Sequence, residues 1–153
     1  MSQLEVVQIP CLSDNYGYLV HDSESKLTAS IDSPALDPIE EALRQNGWVL
    51  THIFNTHHHY DHTGANLELK KRWKCKIIGS EKDSDRIPGL DEGVNDQEIF
   101  NFGNNEVKVF DVSGHTIGHI SFYFPREEKL FCGDALFALG CGRIFEGTPA
   151  QMW

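Results

Sequence analysis

Basic residues are scarce in this 153-residue chain. Its 13 lysines and arginines face 23 aspartates and glutamates, which gives a formal net charge of -10 at pH 7. Nucleic-acid binding is disfavoured, because a phosphate backbone requires a positively charged protein surface. An anionic small molecule would need a local positive patch or a metal ion to bind here.

The chain also lacks long apolar runs and paired cysteines. No stretch of about 18 apolar residues predicts a membrane span, and the first residues do not resemble a secretory leader. Its four cysteines form no CxxC motif; they are Cys11, Cys75, Cys132 and Cys141. We therefore expect a cytoplasmic protein that does not bind membranes, with free thiols that each act as a small buried hydrophobic residue.

The length and the hydrophobic pattern predict one globular domain over residues 1–153, with a mixed α/β fold. Short apolar or alternating runs predict strands at 4–9, 16–21, 27–32, 48–56, 75–80, 106–114, 119–124 and 129–134. Helical spacing predicts helices over 38–47 and 61–73. The acidic, turn-rich segment 80–105 is expected to be a solvent-exposed loop without a role in chemistry. Together these elements indicate a mixed α/β sandwich.

Four of the eight histidines lie within NTHHHYDH, residues 55–62. His57 and His59 are two residues apart at the end of a predicted strand, so their side chains should point the same way. Asp61 and His62 follow where a helix is expected to begin. Imidazoles and a carboxylate in this pattern suit a divalent ion such as zinc, iron or manganese. The alternative is a solvated surface loop, since exposed imidazoles are well hydrated.

Two later motifs favour the metal site. His115 lies in SGHTIGH just past a predicted strand, and Asp134 ends a strand in LFCGD. Functional groups commonly gather at strand ends and in the loops beyond them. The carboxylate of Asp134 could also bridge two cations, as dinuclear hydrolases require. His58 and His119 are expected to lie outside the ligand set.

The motifs THHHYDH, SGHTIGH and CGD, with DNYGYLV at 14–20 and GCGRIFEGT at 140–148, resemble the metallo-β-lactamase superfamily and, within it, the glyoxalase II family. The resemblance implies a four-layer αββα sandwich with two metal ions at one edge. It assigns one metal to His57, His59 and His115. It assigns the second metal to Asp61 and His62, with Asp134 bridging both.

In that family a further metal-binding histidine and a helical C-terminal domain follow the position of Trp153. The sequence is therefore expected to match the first portion of a glyoxalase II, with a domain that is incomplete at its C-terminal end. On this reading the first metal site is complete within the chain, and the second is one ligand short.

The resemblance implies hydrolysis of a glutathione thioester such as S-D-lactoylglutathione to D-lactate and glutathione. We expect two divalent ions, zinc first among them, to lower the pKa of a shared water so that hydroxide attacks the carbonyl. Asp61 and Asp134 would be the catalytic carboxylates. Arg143 is expected to clamp the anionic substrate, and Phe145 to contact it.

Two alternatives stay open at this point. A mononuclear-iron persulfide dioxygenase of the same superfamily could use His57, His115 and Asp134 as its iron ligands. The chain could also be a non-catalytic metal-binding domain that binds one ion and turns nothing over.

Overall fold

The computed structural model of the protein describes residues 4–153 and consists of two β-sheets with helices beside them. The strands are β1 (Leu4–Cys11), β2 (Asn15–Asp22), β3 (Leu27–Ile31), β4 (His52–Phe54), β5 (Lys76–Ser80), β6 (Glu92–Val94), β7 (Ile99–Phe102), β8 (Asn105–Asp111), β9 (Ile120–Phe124) and β10 (Lys129–Phe131). The α-helices are α1 (Leu36–Asn46), α2 (Tyr60–Thr63), α3 (Asn66–Trp73) and α4 (Pro149–Met152).

The first sheet has the strand order β1-β2-β3-β4-β5-β6, and the second has the order β10-β9-β8-β7. Strands β3 to β6 pair in parallel, whereas the remaining pairs are antiparallel. The two sheets pack face to face over a shared aromatic core that includes Phe54, Phe102, Phe122 and Phe124. Full burial of one such side chain contributes about 1.5–3 kcal/mol, so this core is a major source of stability.

Helices α1 and α3 cover the outer face of the first sheet. The buried residues of α1 are Ile39, Ala42 and Leu43, which lie on one side because they follow the helical period. Gly47 ends the helix in the left-handed conformation that glycine adopts without strain. Within residues 4–153, no helix of eight or more residues covers the second sheet, and none is long and apolar enough to cross a membrane.

The predicted mixed α/β sandwich is confirmed, but several predicted elements are shorter than expected. The strands predicted over 106–114 and 129–134 end at Asp111 and Phe131, so Asp134 does not end a strand but lies in a short 3₁₀ turn beyond it. The strand predicted over 48–56 is limited to β4, and the helix predicted over 61–73 is divided into α2 and α3. The division occurs because the backbone N–H of Ala65 donates to the carbonyl of Ser33 rather than to a carbonyl one turn earlier. This bond ties the histidine-bearing segment to the end of β3.

The prediction that residues 80–105 form a solvent-exposed loop is wrong. This segment contains β6 and β7, and it buries Val94 and Phe102 in the core between the sheets. These strands have three and four residues, which is too short for an alternating pattern to be recognised among turn residues. The segment also buries Asp83, which lies close to the histidine cluster.

All four cysteines are free thiols, as predicted. Cys11 and Cys75 are buried, and burial raises the pKa of the Cys75 thiol to about 11. The expectation of burial is wrong for Cys141, which is exposed, and only partly correct for Cys132. Both lie beyond β10, where the chain runs through loop structure instead of a packed strand.

Candidate metal centre

Parallel pairing of β3 and β4 places the two strand ends side by side. Ile31 is in register with Phe54, so Asp32 and the segment 55–59 leave the sheet at the same edge. The second sheet is joined to this edge by a hydrogen bond from the Ile120 N–H to the Thr56 carbonyl, at 2.9 Å. The loops that carry His115 and Asp134 belong to that second sheet, and they therefore reach the same place.

The first group of candidate ligands consists of His57, His59 and His115, whose ligand atoms all lie within 4.8 Å of one another. The Nδ1 atom of His59 is 3.2 Å from Nε2 of His57 and 3.0 Å from Nε2 of His115. Each ring nitrogen carries either one proton or one lone pair, so a single His59 nitrogen cannot form a full hydrogen bond to both neighbours. A cation between the three nitrogens would satisfy all of them.

The second group consists of His57, His62 and Asp134. The Nε2 atom of His62 is buried and has no hydrogen-bond partner among residues 4–153, although Oδ1 of Asp134 is 3.1 Å away. The other carboxylate oxygen of Asp134, Oδ2, is 3.3 Å from Nε2 of His115. Asp134 thus presents one oxygen to each group, which is the arrangement that a bridging ligand requires.

Asp61 lies at the margin of the cluster and belongs to neither group. Its carboxylate accepts a hydrogen bond from the side chain of Asn15 at 2.9 Å, and it is 3.6 Å from Nε2 of His62. Nearly half of its side chain is exposed. The structure therefore gathers five of the six predicted ligands and leaves Asp61 beside them, at the wall of the cleft.

The remaining ring nitrogens of three candidate ligands have protein partners. Nδ1 of His57 is 3.0 Å from the Thr56 hydroxyl, and Nδ1 of His62 is 2.8 Å from a carboxylate oxygen of Asp32. Nδ1 of His115 is 2.5 Å from the carbonyl oxygen of Arg143. Because these partners engage Nδ1, Nε2 is the nitrogen left to face the centre and to bind a metal ion.

Asp32 is not among the residues singled out from the sequence, yet it organises both groups. One oxygen accepts the backbone N–H of Thr56, and the other accepts the Thr56 hydroxyl and faces His62, each at 2.8 Å. The sequence does contain a feature that could identify Asp32: it is an acidic residue directly after an apolar strand, at the sheet edge where the histidines lie. The prediction missed it because the strand predicted over 27–32 includes Asp32 as its last residue.

His119 packs against the ligand groups without belonging to either. Its ring is fully buried and stacks on His57, with 4.6 Å between ring centroids and 16° between planes. Its Nε2 atom accepts the backbone N–H of Asp134 at 3.1 Å. His119 lies outside both ligand groups, and so does His58, which is directed toward Asp83.

Burial controls the protonation of the cluster. It lowers the pKa of His57 far below the ordinary value, and it also lowers the pKa of His59 and brings that of His119 to about 4. For His62 burial acts in the same direction, but the carboxylates of Asp32 and Asp134 outweigh it and raise the pKa to about 10. His57 and His59 are thus kept neutral, as metal coordination requires, whereas a metal ion must displace a proton from His62.

The cluster opens into a cleft. A cavity of about 350 Å³ is lined by His59, Tyr60, Asp61, His115, Asp134 and Phe145. The ring of Phe145 contacts His59 and His115 edge-on, with centroids 5.4 and 5.3 Å away. Arg143 is exposed two residues earlier, so its guanidinium is open to solvent while its carbonyl is bound to His115.

Comparison with known proteins places these observations in a family. Residues 22–151 match the family model of the metallo-β-lactamase superfamily. The chain is 51% identical over 150 residues to a hydroxyacylglutathione hydrolase of Methylococcus capsulatus, and 52% identical over 151 residues to one of Brucella ovis. These alignments include 98% and 99% of the chain, but it spans only 59% of the length of each relative.

Solved structures agree with this fold. ETHE1 from Myxococcus xanthus superposes with a TM-score of 0.83 at 28% identity, over 97% of this chain and 66% of that one. The BLEG-1 B3 metallo-β-lactamase superposes with a TM-score of 0.86 at 22% identity, over 97% of this chain and 81% of that one. The resemblance predicted from the motifs is confirmed, and the chain belongs to the metallo-β-lactamase superfamily.

Proposed function

We propose that this chain carries the metal centre of a hydrolase that cleaves glutathione thioesters, with S-D-lactoylglutathione as the substrate. The observation that carries the proposal is the pair of ligand groups that share His57 at one sheet edge. Relatives named hydroxyacylglutathione hydrolase, at about half identity, supply the substrate class. Membership of the superfamily and the converging donors support a metal-dependent hydrolase.

The donor set fits two divalent ions. His57, His59 and His115 would hold the first ion, and His62 with Asp134 and the nearby Asp61 would hold the second. Nitrogen and carboxylate oxygen donors of this kind suit zinc, and iron or manganese as well. When bound, such ions polarise a carbonyl group and lower the pKa of water toward neutrality, which removes the need for a serine or cysteine nucleophile.

The residues around the donors have distinct roles in this proposal. Asp134 joins the two groups, and the half-exposed carboxylate of Asp61 faces the cleft, where it can orient the attacking water. Phe145 provides an apolar wall for the acyl group beside His59 and His115. The exposed guanidinium of Arg143 can bind a carboxylate of glutathione, because its planar fork matches carboxylate geometry.

The mononuclear-iron persulfide dioxygenase is the second candidate. Its ligands would be His57, His115 and Asp134, and the structure places Oδ2 of Asp134 3.3 Å from Nε2 of His115. Two histidines and one carboxylate are the ligand types of non-haem iron oxygenases. His59 and His62 would then have no direct role at the metal.

The position of His57 in the first group generates the first prediction. His57→Ala should abolish tight zinc binding there, because only two of the three nitrogen donors remain. The matched control is His58→Ala, in the adjacent position but directed away from the centre, which should retain zinc at the level of the unmodified chain. Zinc per chain, measured by mass spectrometry after dialysis, checks both results. Equal zinc retention in the two variants would contradict the assignment.

The hydrogen bonds of Asp32 generate the second prediction. An asparagine side chain can keep the shape and the positive φ of this position, but its amide would donate to Nδ1 of His62 and shift the ring proton to Nε2. Asp32→Asn should therefore weaken zinc affinity by about 10–100-fold, a typical cost of losing such a partner. Competition with a chelator measures the affinity. Asp37→Asn, in the exposed first turn of α1, is the control that should change nothing.

Substrate turnover tests the proposed function directly. We expect the zinc-loaded chain to consume S-D-lactoylglutathione with release of free glutathione, and the iron-loaded chain not to take up oxygen with glutathione persulfide. Oxygen uptake without thioester loss would favour the dioxygenase instead. Bound metal with neither activity, in this chain and in a form extended to the length of its relatives, would leave only a metal-binding domain.

A further inference from the structure

The fully buried carboxylate of Asp83 lies next to the centre but outside both ligand groups. It accepts hydrogen bonds from Arg86, with Nη2 at 2.5 Å and Nε at 3.1 Å, and it is 3.2 Å from Nδ1 of His58. Gly118 packs so closely that an added Cβ would clash with the Asp83 carboxyl group. A buried charge is tolerated only when it is paired, so Asp83 fixes the direction of the Arg86 side chain.

From this position Arg86 reaches a second carboxylate. Its Nη1 and Nη2 atoms donate to the two oxygens of Glu146 at 2.5 and 3.1 Å, in a two-bond pairing that a lysine could not form. Oε2 of Glu146 also accepts the backbone N–H of Ile117 at 2.8 Å. The hydrogen bonds from Arg86 hold the pKa of Glu146 at about 2, so the pair is fully ionised at neutral pH.

Glu146 lies between two residues that contact the loop of His115. The N–H of Phe145 donates to the His115 carbonyl at 3.2 Å, and the N–H of Gly147 donates to the Gly114 carbonyl at 3.0 Å. The position of the Phe145 ring therefore depends on the short segment 145–147, which Arg86 holds through its hydrogen bonds to Glu146. Earlier in this loop the packing is open: Leu139 is fully exposed, and an added Cβ at Gly140 would meet nothing within 4 Å.

We infer that Arg86 is a positioning residue that, through Asp83 and Glu146, holds Phe145 against the metal centre and so sets where the acyl end of the substrate lies. The part of this inference that concerns substrate rests on the proposed function. The part that concerns the loop does not. Arg86 itself touches neither ligand group, so it acts through Phe145 and not on the reacting atoms.

Trypsin cleavage after Arg143 tests the loop without any need for activity. Arg143 is exposed in the same loop as Glu146, so the rate of cleavage after Arg143 reports how often this loop opens. On the zinc-loaded chain, Arg86→Gln should accelerate appearance of the fragment that begins at Ile144 by about tenfold, while zinc per chain stays unchanged. Arg72→Gln is the matched control, because it removes an exposed pair with Glu40 and should leave the rate unaltered.

Glu146→Gln gives a second route to the same result. It removes the charge of the partly exposed partner, Glu146, and leaves the buried contact of Asp83 with Arg86 in place, so the fold is preserved. This variant should accelerate the same cleavage to a similar extent. Cleavage after Arg143 at the unmodified rate in both variants would overturn the inference.

A double-mutant cycle tests the link to substrate. Arg86→Gln should lower kcat for the thioester by about tenfold, because small misplacement of a bound substrate is costly. In a Phe145→Ala background the same change should have less than about a twofold effect, since both act through one contact. Multiplicative losses would show that Arg86 does not act through Phe145. If the unmodified chain lacks thioesterase activity, the proposed function fails, and the cleavage rates still decide the role of Arg86 in the loop.

Discussion

The site depends on the hydrogen bonds of the Asp32 carboxylate. This carboxylate binds the N–H and the hydroxyl of Thr56 and faces Nδ1 of His62, all at 2.8 Å. Through the Thr56 hydroxyl it also reaches Nδ1 of His57. These contacts exist only because parallel pairing aligns the ends of β3 and β4, and they leave the Nε2 atoms of both histidines directed at the same space. The fold thus fixes the direction of both rings.

Burial disfavours protonation of the histidines and so leaves their nitrogens free to bind a metal ion. A set of imidazoles excluded from water cannot readily hold protons, and the lowered pKa of His57 and His59 expresses that constraint. The carboxylates of Asp32 and Asp134 concentrate negative charge on the other side, where His62, with its pKa raised to about 10, holds its proton. One half of the centre is therefore ready to bind metal, whereas the other must exchange a proton for it. The proposed two-metal chemistry depends on both halves being filled.

Much of this could be predicted from the sequence. Strand ends and the spacing of His57, His59 and His62 indicated a metal site, and the β1 to β3 meander and α1 were recognised from their apolar periodicity. The partners of those histidines could not be predicted, since Asp32 and Asp83 are distant in sequence and meet the cluster only through sheet pairing and loop packing. The short strands β6 and β7 were missed for a related reason. Their stability comes from neighbouring strands and from the core, and not from their own pattern.

Anomalous diffraction from crystals of the zinc-loaded chain tests most directly the claim that the histidine cluster binds a divalent ion. We predict a zinc peak bonded to Nε2 of His57, Nδ1 of His59 and Nε2 of His115, at about 2.0–2.1 Å from each nitrogen. A map with no zinc at this sheet edge, or with zinc held by other residues, would contradict that claim.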